Sequence, residues 1–283
     1  MTRIILNSDD FGLTAGINQS VLDLHKEGAL TSATLMAMAD QMSDAATRSA
    51  GQPGLGVGCH VVLVDGTPAL PAESIPRLAI MPGGFRPNLA GFVWDLMRGA
   101  IPEDEIEMEA IAQIRRVQAA GVHVTHLDTH KHTHMFLGVL RPLLRAAAAC
   151  GIRAVRNPFE PDWALRATAD APALRRLQVR VLRSQRREFL EQVERAGIAT
   201  TDGAVGVLAT GTLDAATLEA LLTAMPAGTW ELVCHPGHMD AGLNGVRTRL
   251  RESRAVEHNA LLEVVPRFLS EHPGVAAINF GQL

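Results

Sequence analysis

Ile4-Ile5-Leu6-Asn7-Ser8-Asp9-Asp10-Phe11-Gly12 is a short β-rich apolar run that stops at two carboxylates and a glycine. Working outward, similar runs recur at residues 33–38, 55–59, 122–127, 152–155, 204–208, 232–234 and 275–280, which makes about eight candidate strands. Between them lie segments with apolar residues at helical spacing, such as Ile17-Val21-Leu24, Ile106-Ile111-Ile114-Val117 and Leu137-Leu140-Leu144-Ala148. Gly28, Gly121, Gly151 and Gly197 each follow such a segment, where a left-handed C-cap is expected. Strand and helix alternating in this way predict an α/β fold with a parallel sheet or barrel. The expectation is one distorted (β/α) TIM-like barrel over residues 1–283, with a long loop insertion at the catalytic end. Barrels of this kind run to roughly 250 residues as one domain.

Composition narrows the functions. Twenty-six Lys and Arg against 30 Asp and Glu give a net charge of −4, and there is no Tyr. A phosphate-backbone binder needs a basic surface, so nucleic acid is excluded as a partner. With 47% apolar and 20% charged residues the chain can build an ordinary core. The cysteines, Cys59, Cys150 and Cys234, are odd in number and unpaired in spacing. That pattern fits a reducing compartment and predicts a cytoplasmic protein. The run at residues 4–6 is too short for a secretory signal, and no apolar run reaches the ~18 residues of a membrane span. Oligomeric state cannot be read, so a homodimer stays open.

Two stretches break the rhythm. Residues 61–101 carry five prolines, Pro82-Gly83-Gly84, and Phe85, Phe92 and Trp94. They read as an excursion over one barrel end, either a lid or a structural insertion. Arg176, Arg180, Arg183 and Arg187 fall at helical spacing and read as one solvated stripe, with an anionic-lipid or partner surface as the alternative.

The chemistry concentrates where strands end. In Thr125-His126-Leu127-Asp128-Thr129-His130-Lys131-His132-Thr133-His134, strand alternation puts His126, Asp128 and His130 on one face. Four histidines in nine residues beside an aspartate need a cation or hydrogen bonds to organise them, so metal binding is expected here. They cannot all hold one ion, and some must orient ligands or touch substrate. Adjacent Asp9 and Asp10 can serve one site only where the chain departs from a regular strand. His60 follows Gly58-Cys59, and His235 follows Val233-Cys234, with Pro236-Gly237-His238 beyond. A barrel gathers such strand ends into its active site. Cys59 and Cys234 would then face away as small core residues. Trp94 and Trp163 suit stacking on a sugar, although core packing is the simpler reading for each. Arg156 is expected to bind hydroxyls or a charged group.

Together these motifs resemble the YdjC-like carbohydrate deacetylases, a family with chitooligosaccharide deacetylases and hopanoid-biosynthesis-associated members. Asn7-Ser8-Asp9-Asp10-Phe11-Gly12, Thr31-Ser32-Ala33-Thr34, Gly58-Cys59-His60-Val61-Val62-Leu63, His126-Leu127-Asp128-Thr129-His130-Lys131-His132, Arg156-Asn157-Pro158-Phe159-Glu160 and Cys234-His235-Pro236-Gly237 carry the likeness. It implies a distorted barrel holding one divalent ion on Asp10, His60 and His130, with Asp9 as general base and His235 as acid. His126, Asp128, His132, His134, Arg156 and His238 would bind substrate or support the ligands. Ser8 and His238 depart from the family pattern, and His238 adds a titratable group beside His235. A mixed oxygen and nitrogen donor set suits Mg or Zn, with Mn, Co and Ni open. The implied reaction removes the N-acetyl group of an amino sugar, in an oligosaccharide or glycolipid, and releases acetate. A metal-dependent phosphoesterase and a non-catalytic sugar or metal binder are the rivals.

Overall fold

The computed structural model describes residues 2–80, 83–168 and 171–283, so Pro82 of the expected Pro82-Gly83-Gly84 turn lies outside the described residues. The strands are β1 (Thr2–Phe11), β2 (Ser32–Leu35), β3 (Gly56–Val61), β4 (Val124–Thr129), β5 (Gly203–Val205), β6 (Gly228–Cys234) and β7 (Val275–Ala277). The helices between and after them are α1 (Ala15–Lys26), α2 (Met42–Ser49), α3 (Leu89–Met97), α4 (Glu103–Ala119), α5 (Leu137–Cys150) and α6 (Asp162–Ala167). They continue with α7 (Ala173–Leu182), α8 (Arg186–Arg195), α9 (Ala215–Ala224), α10 (Gly242–Gly245) and α11 (Glu252–Glu271).

All the strand pairs are parallel, in the order β4-β3-β2-β1-β6-β5. β6 runs along one edge of β1, while β7 and then β2 share the other, at Thr2 to Ile4 and from Asn7 onward. β1 is therefore central and buried from Ile4 to Phe11, as parallel strands covered on both faces are. The expected run at 152–155 forms only isolated bridges, Val155 to Leu127 and Ala154 to Ala199. Arg156 leaves the sheet there, and Pro158 has no N–H with which to extend a ladder. The result is a curled, partly open sheet with helices around it.

Local chemistry sets the helix ends. Thr14 caps α1 through the Ile17 amide, Asn88 caps α3 through Gly91, and Asp214 caps α9 through Thr217. Gly151 closes α5 at φ 74°, the left-handed cap expected of it.

The insertion is sewn to the body by one face of α4. Glu105 accepts from the Arg77 and Leu78 amides, and Glu109 from Ala69 and Leu70. Gln113 both donates to and accepts from the Val62 backbone. These three side chains are buried at i, i+4 and i+8, so this stripe is filled by polar groups that satisfy a loop. Phe85 and Phe92 are buried, while Trp94 stands in solvent with the Arg98 guanidinium 5.6 Å from its ring, contrary to a core reading. Trp163 packs edge-on against Trp230 at 5.2 Å.

Candidate active site

Two adjacent carboxylates reach one site because β1 is irregular there. Its register against β2 shifts between Ser8 and Phe11, and Asp10 takes φ 64°. A left-handed aspartate costs about 1 kcal/mol or more, and such strain is held where the surroundings fix it. Here they do. Arg254 of α11 donates to Asp10 Oδ2 at 2.5 Å, leaving Oδ1 to face His60 Nε2 at 3.8 Å and His130 Nδ1 at 3.7 Å.

Those two separations are too long for hydrogen bonds and close to the spacing of neighbouring donors around one ion. The His60 orientation agrees: its Nδ1 faces Asp128 Oδ1 at 2.8 Å, so in the neutral ring Nδ1 carries the hydrogen and Nε2 the lone pair. Asp10, His60 and His130 thus fit a divalent cation. A second trio, Asp9, His60 and Asp128, also lies within ligand reach. It is already served by a cation, because the wholly buried Arg156 guanidinium lies against both of its carboxylates.

Charge supports the same reading. Among the described residues, four buried carboxylates, Asp9, Asp10, Asp128 and Glu231, contact two guanidiniums, Arg156 and Arg254. Burial pushes the Glu231 carboxyl up to about 7 despite its Arg156 contact, which removes part of the excess. His60 removes more: burial opposes its charge, but Asp128, Asp9 and Asp10 raise it to about 9. A proton on His60 does the work a metal ion would do.

Asp9 is held differently from Asp10. Arg156 grips it with both terminal nitrogens, at 2.6 Å to Oδ1 and 2.9 Å to Oδ2. Asn7 and Thr34 add bonds to Oδ1, each at 3.2 Å. Burial would raise this carboxyl, yet Arg156, His60 and His235 outweigh it and hold it well below the ordinary range. Oδ2 faces His235 Nε2 at 3.7 Å. His235 itself is set by Glu257, which accepts from its backbone N–H at 2.6 Å.

The remaining histidines separate. His126 points inward but lies low in the sheet, stacked on Phe280 at 3.7 Å. A Cβ on Gly58 would come within 2.5 Å of that ring, so glycine makes the space. Burial, then Arg156, keeps His126 uncharged. Strand alternation stops at Thr129, and Lys131 and His132 turn left-handed, so His132 and His134 do not continue the β4 face. His134 is buried on Thr129 Oγ1 at 2.7 Å. His132 stays near Asp9 and His235, and its buried Nδ1 has no partner among the described residues. His238 turns away from His235 to pair with Asp23 at 3.0 Å and lie against His258. Arg156 is spent on Asp9, Asp128 and Glu231 and holds the site from beneath, so it is no substrate contact. Cys59 and Cys234 are buried core residues, as expected.

Sequence reasoning missed Glu231, Arg254 and Glu257. Glu231 was findable, since it shares the inward face of β6 two and four residues before Val233 and His235. Arg254 and Glu257 sit on a polar helix, where charged residues ordinarily signal solvent.

The sequence profile of the family described as YdjC-like protein matches residues 3–268. A carbohydrate deacetylase of Brevibacillus brevis is 39% identical over 145 residues, covering 51% of this chain and 55% of its own length. A chitooligosaccharide deacetylase of Escherichia fergusonii is 36% identical over 152 residues, 53% of this chain and 57% of its own. The matched stretch thus spans little more than half the length of these curated relatives. Among solved structures, a putative cellobiose-phosphate cleavage protein of Enterococcus faecalis V583 superposes with a TM-score of 0.79. It covers 99% of this chain and 98% of its own at 22% identity, a likeness of fold.

Proposed function

Because the chain belongs to the YdjC-like family, we propose that it is a metal-dependent hydrolase that removes the acetyl group from an N-acetylated amino sugar. One observation carries this reading: three donor atoms at ion-scale spacing stand beside a second carboxylate, Asp9, that is held apart by its own arginine. Ligand and base are thereby divided between adjacent residues.

Asp10, His60 and His130 hold the ion, which when bound would polarise the acetamide carbonyl and acidify a water. Asp9 takes the proton from the attacking water through Oδ2, the oxygen not also bonded by Asn7 and Thr34. His235, whose Nε2 faces that oxygen, delivers a proton to the departing amine. Asp128 keeps His60 in its ligating tautomer, and Arg156 keeps Asp9 ionised and aimed. The segment from residue 61 to 101, whose Asp65 pairs with Lys131 next to His130, selects substrates. Mg and Zn are the leading choices of ion for this donor set. The substrate is an oligosaccharide or a glycolipid.

The phosphoesterase alternative is disfavoured because Arg156 fills the second donor cluster, whereas such enzymes often gather two ions. The test is acetate release by metal-reconstituted protein from an N-acetylated chito-oligosaccharide, an N-acetylated sugar nucleotide and a glycosylated hopanoid. Release that chelator abolishes, with one ion per chain, is expected. Full metal occupancy with no acetate from any of the three would overturn the assignment.

A further inference from the structure

Helix α7 is built inside out. A helix on a protein surface turns apolar residues inward and charged ones to water. α7 does the reverse, with Leu174, Leu177 and Val181 at 68, 57 and 62% exposure and no residue buried. Two of its three arginines, and Arg183 just beyond it, face the body. Arg175 donates to the Val207 and Thr210 carbonyls, Arg176 to those of Leu165, Thr168 and Ala171, and Arg183 pairs with Asp162. The Arg stripe expected to be one solvated face is therefore divided, and only Arg180 and Arg187 of its members are exposed.

The helix also sits at the catalytic end. Val207 and Thr210, which Arg175 grips, follow the C-terminal end of β5, the end at which Asp10, His60 and His235 leave their strands. Trp94, Met97 and Met239, also large, apolar and exposed, likewise belong to connections that leave strand C-termini.

We propose that α7 docks the protein on an anionic membrane surface, with Leu174, Leu177 and Val181 entering the headgroup boundary and Arg180, together with Arg187 at the start of α8, meeting lipid phosphates. An exposed apolar stripe flanked by arginine is the pattern of a helix lying in the plane of a bilayer. Charge selects lipid over a second copy of this chain: of the six arginines in residues 171–187, Arg183 and Arg187 pair with carboxylates among the described residues, Asp162 and Glu191, and with Glu188 counted the segment keeps an excess of positive charge, so a facing copy would bring like charge to like. Docking there would turn the metal site toward molecules held in the membrane.

The experiment is co-sedimentation with vesicles of phosphatidylcholine alone and of phosphatidylcholine with phosphatidylglycerol. It needs no turnover, so its outcome is separate from that of the hydrolase assignment. The chain should bind the anionic vesicles at least about tenfold more strongly than the neutral ones, and salt should weaken that binding. The variant Leu174→Gln/Leu177→Gln/Val181→Gln alters only exposed side chains, and should keep its fold by circular dichroism while losing about tenfold or more of vesicle binding. Arg180→Gln/Arg187→Gln should lose several-fold and show a shallower salt dependence. The proposal fails if the wild-type chain stays in the supernatant with anionic vesicles, or if the triple variant binds as well as wild type. It fails equally if the wild type is a dimer that the triple variant converts to monomer without any vesicle binding, which would make the face an interface between copies.

Discussion

Arg254 and Asp10 lie 244 positions apart in sequence, and their side chains meet at 2.5 Å. The last long helix therefore sets the orientation of the first-strand carboxylate proposed to hold the ion. Because Arg254 occupies Oδ2, only Oδ1 turns to His60 and His130. Arg254→Gln is expected to weaken metal affinity by about 10- to 100-fold, the usual effect of losing a ligand's supporting partner. His60→Ala and His130→Ala should remove the ion almost entirely. Metal titration separates the three variants, and unchanged affinity in Arg254→Gln would show that Asp10 is aimed by the backbone alone.

Asp9→Asn should retain the ion and lose about 10²- to 10⁴-fold in turnover, because the amide cannot accept a proton. Arg156 keeps Asp128 and Glu231 as partners in that variant, so folding survives. Arg156→Ala is the contrasting case. It strands three buried carboxylates, and loss of one partner of a buried pair costs about 3–5 kcal/mol. A thermal melt should separate a stable, inactive Asp9→Asn from an unstable Arg156→Ala. Joint loss of metal and turnover in Asp9→Asn would exchange the roles of Asp9 and Asp10.

The raised pKa of His60, about 9, gives the metal-free protein a defined pH response. A charged His60 stabilises the fold below the unfolded value of about 6.5, and that stabilisation is lost as pH rises through the folded value. With chelator present, thermal stability should therefore fall between pH 6.5 and 9. Metal affinity should move the other way, gaining up to about tenfold per pH unit, because the ion must displace that proton. Isothermal titration in buffers of different ionisation enthalpy counts the released proton. Uptake with no proton release would mean that His60 is already neutral.

Trp94 offers a test of the insertion that does not disturb its anchors. Its ring is exposed, whereas the loop is fixed through Glu105, Glu109 and Gln113. Trp94→Ala should leave metal content and the melt unchanged and lower kcat/KM several-fold on long substrates, with little change on a small acetamide. A stacking contact of this kind is worth about 1 kcal/mol. Equal effects on both substrates would make the insertion structural.

Most of the architecture was legible because parallel strands announce themselves as apolar runs that end in chemistry. Asp9, Asp10, His60, the cluster from His126 to His134 and His235 were singled out by that rule, whereas the choice of His130 within the cluster came from the family resemblance. The rule failed where geometry departed from the period it assumes. The chain turns left-handed after His130, so alternation says nothing of where His132 and His134 point, and His238 pairs with Asp23, away from His235. The 152–155 run kept only bridges. Arg254 and Glu257 were invisible for a different reason: charged residues on a helix look alike whether they face water or a buried partner, and only the fold tells them apart.

The polar stripe on α4 changes what counts as a transferable part of this molecule. Val62, Ala69, Leu70, Arg77 and Leu78 have given their backbone bonds to a helix that begins after the loop ends. Grafting residues 61–101 alone onto a relative would leave amides in the loop and carboxylates on the helix without partners, and each orphaned buried group costs about 1–3 kcal/mol. The smallest unit that evolution or an engineer can exchange is loop and helix together, residues 61–119, and substrate range in such chimeras should travel with that whole segment.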